Sequence, residues 1–458
     1  MRRMRLTSLA VIAATAGAMV LTSLAPAFAQ GRRVSLIRDA EAEALIADYA
    51  RPILKAAGLG GATVEIKIVN DPSFNAFVAD SRHIFINAGT LMQSETPNEL
   101  IGVIAHETGH LAGNHLARLR EAIRKAQILS AIGMIGGAAA AVGGSSSGVP
   151  GAGRAGAAAA VGGAQMGQRS LLAYQRTEES AADRAALTYL EKTGQSARGM
   201  LDVFERLADQ QLFSAMFSDP YALSHPLAAE RLSQVRTVAE QSRHFGKADD
   251  PSLVARHALV RAKFVAFTGD ANKTARAYPP NDTSLAAQYA RAVVAWRYGD
   301  PRSAVRAVDA LIEQVPSNAF FQELKGQILL ESGQPRQAIE PLRRAVKLAP
   351  KAGLIRVMLG HALVASGEDG VLKEAIEHLT KGLGDDPDNG IGYRQLAIAH
   401  ARTGNIALAD LATAQGAFAG GDIKAAKQYA QRAQAKLKRG SPAWLRADDI
   451  VTYNPPRS

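Results

Sequence analysis

Beyond about Ser252 the chain repeats itself, and that repetition restricts its possible folds more than any single residue does. Ala292, Gly299, Ala304 and Pro316 recur as Gly326, Gly333, Ala338 and Pro350, with Ala345 inside the second unit; Pro350 lies 34 residues after Pro316. A third unit carries Gly360, Gly367, Ala375, Leu379 and Pro387, with about three extra residues near Glu368, Asp369 and Gly370. Ala397, Gly404 and Ala409 mark a fourth, and a last one around Gly421, Ala426, Ala430 and Ala433 overlaps it. One such spacing means nothing alone. Four in register predict paired short helices that approach at small residues and end near proline. A pair of this kind cannot bury its apolar face by itself, so the units must stack. The expectation is an all-α solenoid over residues 284–458, reached through a helical connector at 251–283.

The N-terminus reads differently. Arg2, Arg3 and Arg5 precede an apolar run from Leu6 to about Leu24, followed by Ala27-Phe28-Ala29. A basic start, an apolar stretch and a small-x-small site predict a cleaved signal peptide over 1–29. The chain has no cysteine, which excludes a lipid-modified cysteine and leaves an exported protein without disulfides. Packed helices must stabilise it instead, with a metal as a further means open to it. The net charge of +11 is spread out rather than blocked; it suits an anionic surface or acidic partners. No nucleic-acid motif accompanies it, so no nucleic-acid partner is expected.

Between these ends, residues 30–250 mix helix and strand signals. Leu36 to about Ala57 has helical apolar spacing, and Val64–Val69 alternates as a half-buried strand does. Short strand-like runs follow at Phe74–Val78 and His83–Ile86. Thr96, Pro97 and Glu99 predict a helix start with a capping box, and the helix is expected to continue to about Lys125. Residues 128–167 are dominated by Gly, Ala and Ser. Composition leaves a flexible linker and a mobile flap or membrane-leaning hairpin both open. The apolar run Ile128–Val142 is shorter than the ~20 residues of a spanning helix. Another helix is expected from near Tyr174 past Leu190, and further helix from Met200 to Gln241, interrupted at Asp219-Pro220 and His225-Pro226.

Within the helix that starts at Thr96 stands His106-Glu107-Thr108-Gly109-His110. Positions four apart share a helix face, so both imidazoles can address one ion, with Glu107 beside it to take a proton from water. Two surface histidines on an amphipathic helix would give the same string. Ile101, Val103, Ile104, Ala105 and Leu111 surround it, however, and a buried His-Glu-His cluster without a metal is costly. A catalytic zinc needs a third protein ligand. A third histidine six residues after His110 is not available, because position 116 is Leu116 and His115 falls one residue short. A carboxylate remains, and Glu178-Glu179-Ser180-Ala181-Ala182-Asp183 offers Glu179 and Asp183 on one face.

HExGHxxxxH followed by ExxAD resembles the M48 family of zinc metallopeptidases, and the 34-residue units resemble tetratricopeptide repeats. The resemblance runs from the Arg38-Asp39-Ala40-Glu41 helix to the end of the chain. It implies an α+β zincin-type metallopeptidase domain, mostly helical with a small sheet, followed by an all-α tetratricopeptide solenoid. It further implies one Zn2+ per chain held by His106, His110 and Glu179, with Glu107 as catalytic base. Asp183 would orient a ligand histidine, and His115 would have a structural or ligand-supporting place; Glu178 is expected to be a solvated neighbour. The family's downstream His-Pro and arginine fall on His225 and Arg231, which implies that His225 approaches the metal or the reacting oxyanion. Phe74–Val78 matches the strand edge beside the family's cleft. Among repeat-bearing family members the implied setting is the periplasm, with peptidase and chaperone work on outer-membrane protein assembly. Implied partners are unfolded or misassembled outer-membrane proteins and, through the repeat groove, the β-barrel assembly machinery; the 128–167 segment would supply any peripheral membrane contact. The competing expectation is a periplasmic chaperone or adaptor whose peptidase site is largely latent. His83, His244, His257, His361, His378 and His400 have no ligand-like spacing.

Overall fold

The computed structural model describes residues 35–146, 152–213, 225 and 229–455. The expected signal segment and its cleavage site therefore lie outside the described residues, as do Asp219, Pro220 and Pro226. The described residues from Ile37 onward form one compact unit.

Asp39 starts the first helix, α1 (Ala40–Ala56), its carboxylate accepting from Ala42 N–H at 2.8 Å, with Glu41 and Glu43 in the first turn. Acidic groups there complement the helix dipole. The strands β1 (Leu36–Ile37), β2 (Glu65–Val69), β3 (Ala76–Val78) and β4 (His83–Asn87) form one sheet in the order β1-β2-β4-β3. β2 runs parallel to β4, with Glu65 opposite His83; β3 is antiparallel to β4, with Ala76 opposite Ile86. Ile68, Ile84 and Ile86 turn inward and are buried. β3 thus stands at a sheet edge, beside the helix that carries the HETGH residues.

A short helix, α2 (Ala88–Gln93), leads to α3 (Pro97–Ala112). Thr96 Oγ1 accepts from Glu99 N–H at 3.3 Å, as the sequence predicts. The reciprocal half of the capping box is replaced: Glu99 accepts from Glu95 N–H at 3.2 Å and from Arg206 at 2.8 Å. The arginine, brought in by a later helix, takes the carboxylate away from the Thr96 amide. The expected run to Lys125 is also broken. Asn114 adopts φ +52°, a left-handed conformation that asparagine tolerates, and the chain turns before α4 (His115–Ser146) begins.

α4 packs along α5 (Ala152–Thr193). The Gly/Ala/Ser segment is therefore helical up to Ser146 and again from Ala152, and the helix expected from Tyr174 starts well before it. Alanine is the strongest helix former, and in these runs it outweighs the glycines that suggested a linker. Residues 147–151 lie outside the described residues. No described helix is long and apolar enough to cross a membrane. Next come α6 (Arg198–Phe213), α7 (Ala229–Gln241), α8 (Pro251–Thr268) and α9 (Ala271–Ala277).

The repeats are helix pairs: α10 (Leu285–Tyr298) with α11 (Pro301–Gln314), α12 (Ala319–Glu331) with α13 (Pro335–Leu348), α14 (Gly353–Ala365) with α15 (Leu372–Asp385), and α16 (Gly390–Arg402) with α17 (Ile406–Ala419). α18 (Ile423–Gln434) packs on α17, and α19 (Pro442–Thr452) packs on α18. The repeated sequence has a direct cause. Gly333, Gly367 and Gly404 form the turns inside pairs at φ +73°, +80° and +78°. Gly326 and Gly360 lie so close to Leu342 and Leu379 of the partner helix that a Cβ would collide. The extra residues of the third unit form a single 3-10 turn, Asp369–Val371.

One hydrophobic core runs from Leu45 and Ile53 of α1 through Ile84, Ile104 and Leu190 to Tyr289, Phe321 and Ile328. The peptidase-like part and the first repeat helices share it. Polar groups join them as well: Tyr289 donates to Glu41 at 3.0 Å, Lys263 pairs with Asp39 and Glu41 at 2.8 Å each, and Arg38 pairs with Asp386.

Candidate metal centre

Helices α3 and α5 bring the HETGH and ExxAD residues together because Gly109 has no side chain. A Cβ there would lie 2.8 Å from the carbonyl oxygen of Ala182, the buried residue between Glu179 and Asp183. The two backbones touch at this point, and the ligand-type side chains on either side converge.

Donor atoms of His106, His110, Glu179 and His225 all lie within 4.8 Å of one another, and all four residues are buried. His110 Nε2 is 3.0 Å from His106 Nε2, and His106 Nε2 is 3.3 Å from His225 Nδ1. Glu179 places its oxygens 3.4 Å from both His106 and His110.

Outside this cluster each imidazole meets an acceptor through its other nitrogen. His106 Nδ1 lies 3.0 Å from Asp183 Oδ1. His225 Nε2 donates to the carbonyl of Ala76, on the edge strand, at 3.2 Å. His110 Nδ1 meets His115 Nδ1 at 3.0 Å, and His115 Nε2 lies 3.0 Å from Glu178. Protons on the three outer nitrogens leave lone pairs on the inner ones. Lone pairs 3.0 Å apart repel unless a cation lies between them. The donor set of three imidazoles and a carboxylate suits zinc, on which M48 peptidases depend.

The charges agree with such a site. Burial opposes charge on His106, but Asp183 and Glu179 outweigh it and lift its pKa to about 10. Burial likewise works against ionised Glu179, yet His225, His106 and His110 hold its carboxyl well below the usual range. Without a metal the cluster holds protons where a divalent ion would replace them. Arg231 grips Asp183 through two hydrogen bonds of 2.8 and 2.9 Å and reaches Glu179 at 3.2 Å. Its guanidinium also lies 5.4 Å from the centre of the Phe204 ring.

Glu107 is fully buried, and neither carboxylate oxygen has a hydrogen-bond partner among the described residues. The imidazole of His225 lies 3.4 Å from it. The structure therefore gathers His106, Glu107, His110, Glu179, Asp183, His225 and Arg231 in one place. Glu178 departs from its expected solvated position: its side chain is only 12% exposed, held by His115 and by Arg118 at 2.7 Å. Nothing in the sequence signals this, because Glu178 and His115 meet only when α5 folds back along α4. His257 is a core residue, bonded to Tyr49 and the Ser94 carbonyl.

Residues 37–239 match peptidase family M48, and residues 289–353 match a tetratricopeptide repeat. The chain thus carries an M48 peptidase domain followed by tetratricopeptide repeats. It is similar to a putative beta-barrel assembly-enhancing protease of Vibrio cholerae, 27% identical over 258 residues, covering 56% of this chain and 51% of that protein. The beta-barrel assembly-enhancing protease of Escherichia coli (strain K12) is 25% identical over 268 residues, covering 57% and 52%. Metalloprotease YcaL of the same strain is 30% identical over 190 residues, covering 40% and 66%. The chain spans about half the length of the first two.

Proposed function

We propose that this chain is a periplasmic zinc-dependent endopeptidase acting in the quality control and assembly of outer-membrane proteins. The single observation that carries the enzymatic part is the convergence of inner nitrogens and a carboxylate around one point, with the fully buried Glu107 beside it. In this reading His106, His110 and Glu179 hold the zinc. The bound metal would lower the pKa of a water and polarise the scissile carbonyl. Glu107 takes the water proton and returns it to the leaving amine. Asp183 fixes the ring of His106, and Arg231 fixes Asp183. The substrate backbone lies along β3, adding to the outer edge of the sheet as a strand. The names of the two longer relatives, the signal-like N-terminus and the repeats support the setting and the clients. The repeats would dock clients or assembly components and supply chaperone activity. Peripheral membrane contact would come from the α4–α5 hairpin, where Ile128 and Ile132 are exposed.

One zinc per purified chain together with cleavage of casein tests the enzyme. Zinc without cleavage of any substrate, even with clients present, favours an adaptor whose site is latent. Replacing Glu179 with alanine should empty the site; full occupancy in that variant would move the third ligand elsewhere.

One feature favours a closed resting state. His225 Nδ1 lies 3.1 Å from both oxygens of Glu179, inside the donor set. As a fourth ligand it would occupy the position that water needs. The hairpin, tethered to His115 at one end and to Glu179 at the other, would gate the same cleft. His225→Ala is expected to raise basal or self-cleavage; unaltered kinetics would remove His225 from the mechanism. Glu178→Gln is expected to weaken zinc binding by less than the roughly tenfold or more typical of a direct outer partner of a ligand histidine, because it acts on His110 through His115. Competition with a chromogenic chelator reads this directly, and an unchanged affinity would make the Glu178–His115–His110 chain merely structural.

A further inference from the structure

A cavity of about 1060 Å³ lies away from the metal centre, between the start of α1, helix α8 and the inner helices of the first repeats. Its walls are largely apolar: Phe264, Phe267, Phe320, Leu324, Leu354 and Met358 line it. Its volume is at the upper end of sites that enclose drug-sized molecules, so it has room for several amino-acid residues.

At one end stands a charge cluster with too few cations. Lys263 is buried and already engaged by Asp39 and Glu41, both at 2.8 Å. Arg38 is engaged by Glu43 and Asp386. Glu323 is a further carboxyl, 8% exposed and part of the cavity lining. Among the described residues it has no hydrogen-bond or ion-pair partner, and Lys263 acts on it only from a distance. Burial, with Asp39, Glu41 and Glu43 adding to it against the pull of Lys263, pushes its pKa up to about 8. A buried acid without a partner among the described residues, opening onto a cavity, is matched to a group from outside.

We propose that this cavity docks a polypeptide segment presenting a lysine or arginine between apolar residues, with Glu323 as the counter-charge. The inference rests on the reading of the repeats as a docking surface and specifies what docks there. The apolar walls take the flanking side chains, and the basic group enters the end where carboxylates outnumber cations. Arg38 and Asp39 belong to the peptidase-domain side of the cavity, and Glu323 to the repeats. An occupied cavity would therefore contact both parts of the chain.

The test uses the full zinc-loaded chain carrying Glu107→Gln, so that peptides bind without being cut. Three fluorescein-labelled, benzophenone-bearing apolar peptides of equal length, with a central Lys, Gln or Glu, are compared by anisotropy. The Lys peptide is expected to bind about tenfold or more tighter than the Gln peptide, in line with a charge-assisted pair, and the Glu peptide weakest. Photo-crosslinks of the Lys peptide should map to α12 or α14 rather than to β3. Adding the near-isosteric Glu323→Gln should abolish the Lys preference while leaving the affinity for the Gln peptide and the melting temperature unchanged. Equal binding of the three peptides, or a Lys preference that survives Glu323→Gln, overturns the proposal while the docking surface stands. Binding of none of them removes the docking surface as well.

Discussion

Glu107→Gln is expected to abolish peptide cleavage while leaving the zinc content and the melting temperature of the chain unchanged. Glutamine keeps the shape of the side chain inside a fully buried position. It removes the one capability the proposed mechanism asks of residue 107, which is to accept a proton. General-base catalysis typically contributes about 10²–10⁴-fold, so the loss in kcat should be at least of that order. The side chain lies outside the converging donor set of His106, His110, Glu179 and His225, so the metal should remain. The measurement is turnover of a fluorogenic peptide alongside zinc by elemental analysis. Near-normal turnover in a zinc-loaded variant would falsify the assignment of Glu107. Loss of zinc together with activity would instead show that the carboxylate helps hold the ion.

The second large effect falls far from the metal. Lys263→Met is expected to destabilise the chain by about 3–5 kcal/mol, the usual result of removing one partner from a buried ion pair. Methionine fills much the same space as the lysine stem, so packing alone should change little. What remains is Asp39 and Glu41 facing each other without their shared cation, the latter buried beside Tyr289. Lys263 itself is held charged: burial works against its ammonium, but Asp39 and Glu41 outweigh that and raise its pKa well above the ordinary value. Chemical denaturation of the zinc-loaded chain gives the number. Adding Glu41→Gln to Lys263→Met should recover part of the loss, because one orphaned charge is then gone. A change below about 1 kcal/mol for Lys263→Met would mean that water reaches the pair and screens it.

The same cluster bears on how the chain divides. The repeat pattern predicts that deleting residues 284–458 leaves a folded, zinc-loaded peptidase part. The core tells against a clean cut at that point, because Tyr289, Val308 and Phe321 pack into the same hydrophobic cluster as Leu45 and Ile104. We propose a cut after the second repeat pair as the gentler truncation, since it spares these residues.

Much was legible from residues alone, and for identifiable reasons. HETGH is local: helical periodicity by itself puts His106 and His110 on one face, and the apolar residues around them predict burial. The solenoid was legible because its geometry repeats, so small residues at helix crossings and glycines at the turns recur from unit to unit. Glu179 and Asp183 stood out as carboxylates sharing a helix face, but their separate roles, and His225 and Arg231 altogether, could be named only through the resemblance to a family, because nothing local marks a His-Pro turn as part of a site. Tertiary structure alone decided the rest. The capping box gave way to Arg206, the long helix broke at Asn114, and the Gly/Ala segment became paired helices. Glu178 moved from presumed solvent to the back of His115, and Glu323 faced a cavity shared by the two parts of the chain. For the capping box, Glu178 and Glu323 the deciding partner lies on another element, brought near by folding. Patterns within one helix or one repeat are written in the order of residues; contacts between elements are set by which faces must be buried together.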